Sequence, residues 1–144
     1  MLRKVHSLLS LILTFAIIFT LTATATAATP RASDYFSFTE AFISKGDDGE
    51  IIVEFDTSAT KTMRELGAKE IIIYERQRDG SYDEVESFTR YNTNGLIDTN
   101  TSAAYGRVTY EGTAGTKYYA TVVFYAKDAN GSETLYSDTR VITA

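Results

Sequence analysis

From residue 35 onward the chain alternates short apolar runs with clusters of turn residues, the pattern of strands joined by tight connections. "YFSFTEAFI", residues 35–43, predicts a first strand, closed by Gly46, Asp47, Asp48 and Gly49. In "EIIVEFDTS" the residues Ile51, Val53 and Phe55 alternate with Glu54 and Asp56, so the second strand is expected to have one buried and one wet face. "KEIIIYERQ" predicts a third strand, and Asp79-Gly80 before "SYDEVESF" predicts a tight hairpin into the next. Three more strands are expected at 108–111, 118–127 and 135–143, the last two joined through Asn130-Gly131.

Two stretches break this rhythm. In "TSATKTMRELGA" Thr62 and Glu65 have capping-box spacing, Met63 and Leu66 lie three apart, and Gly67 follows. These signals predict one short helical turn near residues 60–67, plugging the core with Met63 and Leu66. "TRYNTNGLIDTNTSAAYG", residues 89–106, is polar and turn-rich and predicts a long connection holding at most one short strand. About seven strands with a single proline near the N-terminal side predict an all-β fold, a single antiparallel β-sandwich.

The N-terminal residues follow a different logic. Arg3 and Lys4 precede an apolar run from Leu8 to Leu21, and small residues end in Ala25, Thr26 and Ala27. This is the order of a secretory signal peptide, with cleavage expected after Ala27; the apolar run falls short of the roughly 20 residues that span a bilayer. The expected organisation is a signal at 1–27, a flexible segment at 28–34 and one β-sandwich domain at 35–144, secreted to the extracellular space. With no cysteine to carry a lipid anchor, release from the cell is the expected outcome.

Removal of the signal takes two basic residues and the only histidine, His6, leaving 12 basic against 19 acidic side chains. So acidic a domain repels phosphate backbones and anionic headgroups, and neither nucleic acid nor a membrane surface is expected as partner. Without His or Cys it lacks the means for Ser-His-Asp or Cys-His catalysis, for the usual zinc and copper sites and for redox thiols. No cofactor and no metal are expected, and the domain is expected not to be an enzyme. Stability must come from the apolar core, since no disulfide can staple it.

"GTAGTKYYATVVFYAKDANGSETLYSDTRV" resembles the last two strands of fibronectin type III domains, with Gly-Thr ahead of a tyrosine and a Gly-Ser hairpin into the closing strand. "IIIYERQRDGSYDEV" resembles the middle strands of the same family. The likeness spans roughly residues 69–144, and the first two strands follow it by pattern only. The chain departs from the family in lacking a tryptophan on the second strand and in the expected helical turn. The resemblance implies a fibronectin type III or immunoglobulin-like sandwich in which Tyr118 is the corner tyrosine. On its "ATPRASDY", "MRELGAKEIIIYE" and "YEGTAGTKYYA" stretches the chain is also similar to small, functionally uncharacterised secreted proteins of clostridial Firmicutes. That likeness implies a bacterial source and a compartment but no activity.

With Tyr118 facing inward, Ala120, Val122, Phe124 and Ala126 join it, and Tyr119, Thr121, Val123 and Tyr125 face out. The third strand, Ile71, Ile72, Ile73, Tyr74, leaves an apolar pair outside in either register. The candidate interaction surface is therefore Tyr119, Val123 and Tyr125 with Ile71 and Ile73. A protein partner or self-association is expected there ahead of a glycan, since sugar platforms favour tryptophan and the chain has none. The acidic turns "GDDGE" and "DANGSE" offer oxygen donors for calcium without helix-loop-helix spacing. The carboxylate pairs Asp47 and Asp48, Glu54 and Asp56, and Asp83 and Glu84 are the candidates for glycosidase chemistry, which needs a cleft between them, and a minimal sandwich offers little of one. The expected function is non-catalytic extracellular recognition or adhesion, with a small carbohydrate- or calcium-binding module and a structural self-associating protein as the alternatives.

Overall fold

The computed structural model describes residues 33–144. The expected signal peptide at 1–27, and residues 28–32 of the segment after it, lie outside the described residues. At 33–34 the chain is tied down: the Ser33 hydroxyl donates to Glu133 and accepts the Phe36 N–H at 2.7 Å.

Seven strands make up 71% of this region, all antiparallel, and the sheet curls into a half-barrel. They are β1 (Phe36–Lys45), β2 (Glu50–Arg76), β3 (Tyr82–Thr89), β4 (Ile97–Glu111), β5 (Lys117–Lys127), β6 (Ser132–Asp138) and β7 (Ile142–Thr143). Along β2, residues 51–58 lie between β1 and β4, residues 65–67 between β4 and β5, and residues 70–75 between β3 and β5. β6 and β7 extend the sheet beyond β5. One long strand thus carries both groups of neighbours.

Three expectations change. The helical turn at 60–67 is absent, because β2 runs through it as one strand of 27 residues. Thr57, Thr60 and Thr62 favour extended backbone. Glu65, read as a capping partner, pairs instead with Arg90 at 2.7 Å and Lys127 at 3.3 Å. Met63 and Leu66 are both fully buried despite their spacing. A strand shows residues three apart on opposite faces, so β2 is covered on both faces here, while pairing of Glu65, Leu66 and Gly67 with β4 on one edge and β5 on the other keeps the backbone extended. The i, i+3 apolar pair marks a strand threading the core.

The connection expected at 89–106 is mostly strand, since β4 starts at Ile97. Ala104 is buried on it, and Gly106 has no room for a side chain because a Cβ there would run into the Phe55 ring. The closing strand expected at 135–143 divides into β6 and β7 around Thr139, whose hydroxyl accepts the Ala120 N–H at 3.0 Å.

The Asp79-Gly80 hairpin forms between β2 and β3, with Gly80 at φ +91° and the Gly80 N–H bonded to the Gln77 carbonyl. The core gathers Ile51, Val53, Phe55, Ile71, Ile73, Tyr118, Val122 and Phe124, all fully buried. Phe124 meets Phe36 and Phe55 edge-on, with ring centroids 6.4 and 6.1 Å apart.

At the β5–β6 turn, Asp128 accepts the N–H groups of Asn130 and Gly131 and pairs with Lys61 at 2.6 Å. The Lys61 bond is the main reason its carboxyl falls from an ordinary 3.8 to about 2. A group with a depressed folded pKa adds stability that is present above its unfolded value and is lost as pH falls through the folded one. Asp128→Asn is accordingly expected to lower the melting temperature at pH 7. That deficit should close as acid titration passes from about 4 to about 2, which calorimetry across this range checks. An equal deficit at pH 7 and pH 2 would show that the charge contributes nothing.

Candidate interaction face

β5 alternates as an inward Tyr118 requires. Tyr118, Ala120, Val122, Phe124 and Ala126 are fully buried in the core cluster, and Tyr119, Thr121 and Tyr125 are half-buried on the other side. The Tyr118 hydroxyl accepts the Thr113 N–H at 2.9 Å and donates to Glu75 at 2.6 Å. Burial first, and the Glu75 carboxylate second, push its pKa upward. This tyrosine pins the β4–β5 connection to β2.

Ile71 and Ile73 belong to the core and leave the candidate surface; both are fully buried. Ile72 and Tyr74 take their places, because β2 pairs Ile72 with Thr121 and Tyr74 with Tyr119 on the outer side. Val123 lies on that side too, next to Glu70 and Tyr136 in register, yet is only 1% exposed and outside the core cluster. Outer-face side chains therefore cover it.

Those side chains are mainly tyrosines. The Tyr74 and Tyr119 rings stack at 4.7 Å and 10°, and Tyr82 meets Tyr119 edge-on at 5.0 Å. Such pairs contribute about 0.5–1.5 kcal/mol beyond area burial, enough to hold the three rings as one rigid unit. Burial raises the Tyr119 pKa, so at neutral pH its ring is an uncharged contact surface.

At the far end of the strand, the Arg90 guanidinium lies 5.5 Å from the Tyr125 ring and 5.6 Å from Tyr91. Arg90 is held there by Glu65. Burial pushes the Glu65 carboxyl up, but hydrogen bonds from Arg90 and Lys127 outweigh it and hold the group below the usual range. Tyr136, 72% exposed, stands between the two ends. Thr134 lies in register with Tyr125, and Ser87 and Thr121 flank Ile72, their hydroxyls donating to Glu70 and Asp138.

Tyr74, Tyr82, Tyr136 and Arg90 were missed as site residues. Tyr74 lies beside the singled-out isoleucines, and Tyr82 follows Gly80 by two residues, so a fixed register for the hairpin would have placed both outside. Nothing near Arg90 or Tyr136 in the sequence marks them.

The other candidates separate. Asp83 and Glu84 are successive on β3 and face opposite sides. Glu54 and Asp56 are on an open sheet face, with Glu54 taking a hydrogen bond from Tyr105. Asp47 and Asp48 line a shallow groove with Glu50 and Glu111. No group of three or more His, Asp or Glu side chains among the described residues is arranged to hold a metal ion. In "DANGSE" Asp128 and Glu133 are engaged by the protein itself. No protein-family model matches the chain, and no curated protein matches it.

Proposed function

We propose that the chain is a secreted, non-catalytic β-sandwich module of fibronectin type III-like build that binds a partner protein through the tyrosine face. The sandwich reading is supported by the change of neighbours along β2, from β1 and β4 at its start to β3 and β5 at its end. The Tyr118 bond to Thr113, five residues upstream, supports the corner assignment.

The observation that carries the function is the set of Tyr74, Tyr82, Tyr119, Tyr125 and Tyr136 on one face, three of them packed ring against ring at one end and Tyr136 in register with the sealed Val123. Tyrosine gives large amphipathic contact area at low entropic cost and is enriched at the core of protein interfaces. A pre-stacked cluster loses little more freedom on binding. Secretion puts such a face where partners are extracellular.

The test is a screen of residues 28–144 against arrays of extracellular proteins and of glycans, beside a Tyr119→Ser, Tyr136→Ser variant, with light scattering of both. A monomer whose protein hits vanish in a folded variant is the expected result. Hits on glycans alone would sustain the carbohydrate-binding alternative. A dimer that the variant turns monomeric would show a structural self-associating protein.

A further inference from the structure

We propose that the open edge of β1 is a second docking site, one that takes up an extended peptide strand bearing a lysine or arginine between two apolar residues. Among the described residues β1 pairs on one side only, with β2. Its other side presents unpaired backbone N–H and C=O groups, a template for strand addition. Edge strands are ordinarily blunted by charge. β3, also paired on one side, carries Asp83, Glu84 and Glu86 in eight residues, whereas β1 carries only Glu40 and, at its end, Lys45 in ten.

β1 is also the strand with phenylalanines exposed beside an open edge. Phe38 and Phe42 are 44% and 46% exposed. A groove of about 320 Å³ is lined by Ala41, Phe42 and Ile43 of β1 and by Arg140. An added strand in this groove gains main-chain hydrogen bonds and apolar contact together.

The charge pattern names the occupant. Phe38, Glu40 and Phe42 alternate on one face, and Asp56 lies directly across from Glu40 on β2, with Glu54 across from Phe42. Arg107 lies across from Glu54 on β4, but no ion pair within 4 Å neutralises Glu40 or Asp56 among the described residues. A strand laid beside β1 therefore meets apolar, acidic, apolar positions at a period of two, complemented by apolar, basic, apolar. A second copy of this chain does not fit, since aligning Phe38 with the copy's Phe42 sets Glu40 against Glu40.

The experiment titrates residues 28–144 with the capped peptide acetyl-Thr-Val-Thr-Lys-Thr-Val-Thr-amide and its central-glutamate counterpart, following amide hydrogen exchange and affinity. Slowed exchange along β1, with the lysine peptide bound about fivefold or more tightly and the order reversed in Glu40→Lys, is the expected result. Four outcomes overturn the proposal. They are equal affinity for the two peptides, protection on the tyrosine face instead, β1 protection that rises with protein concentration alone, and no saturation at millimolar peptide. The face of Tyr119 and Tyr136 is untouched by Glu40→Lys, so failure here leaves the proposed function to its own test.

Discussion

Phe124→Ala is expected to lower the unfolding free energy by about 3–5 kcal/mol, the range for deleting a buried phenylalanine ring. The ring is fully buried on β5, which is hydrogen-bonded to β2, β6 and β7. It touches Phe36 of β1 and Phe55 of the first half of β2 edge-on, so it joins the two ends of the curled sheet through the core. Removing it leaves a void lined by side chains whose strands are pinned in register and cannot close in fully. Domains of this size are stable by about 5–15 kcal/mol, and this chain has no disulfide to hold it. The loss is thus about a fifth of the total or more. Urea unfolding should show the midpoint falling with the slope unchanged, and the melting temperature should drop by roughly 12–20 °C. Phe42→Ala serves as the control: half exposed on β1, it is expected to cost less than about 1 kcal/mol. Equal costs at the two positions would mean that the core is not organised around Phe124.

What could be read in advance divides along a physical line. The inward alternation of β5 was legible because its buried positions carry Tyr118, Val122 and Phe124, which match the strand period. The Asp79-Gly80 hairpin was legible because a positive φ demands a particular residue. Of β4 only the end, at 108–111, was legible: Gly106 before it is kept small by Phe55 on the neighbouring strand, and a local pattern carries no record of a distant ring. The register of Ile71 to Tyr74 was also out of reach, since three isoleucines in a row look alike from both sides. Of the candidate residues, Tyr119 and Tyr125 lie half-buried on the outer side, Val123 lies on that side but is sealed, and Ile71 and Ile73 turn to the core while Ile72 and Tyr74 turn out. Tyr136 and Arg90 reach the face only through β6 and the chain after β3. The capping-box spacing of Thr62 and Glu65 misled because helix and strand both tolerate those residues, and tertiary pairing on two edges decided between them.

Gly67 tests that last point most sharply. At the end of a helix it would adopt left-handed backbone with φ near +57°, where asparagine is the best substitute for glycine. In β2 it has φ +146°, and a Cβ there would overlap the Leu96 carbonyl oxygen, which at the same time accepts the Ala68 N–H at 2.8 Å. Any side chain must therefore push β2 away from the start of β4 and break that bond, on top of a backbone strain of about 1–3 kcal/mol. Gly67→Ala is expected to destabilise the domain by about 3 kcal/mol or more, and Gly67→Asn by the same amount, since this φ lies outside the region that asparagine tolerates. Gly115→Ala is the comparison, at φ +82° with open space around its Cβ, and should cost about 1–2 kcal/mol. Chemical denaturation of the three variants separates the two conformations: a Gly67→Asn protein close to wild type requires a helical end at this position, whereas equal large losses for alanine and asparagine follow only if the chain passes Leu96 as an extended strand.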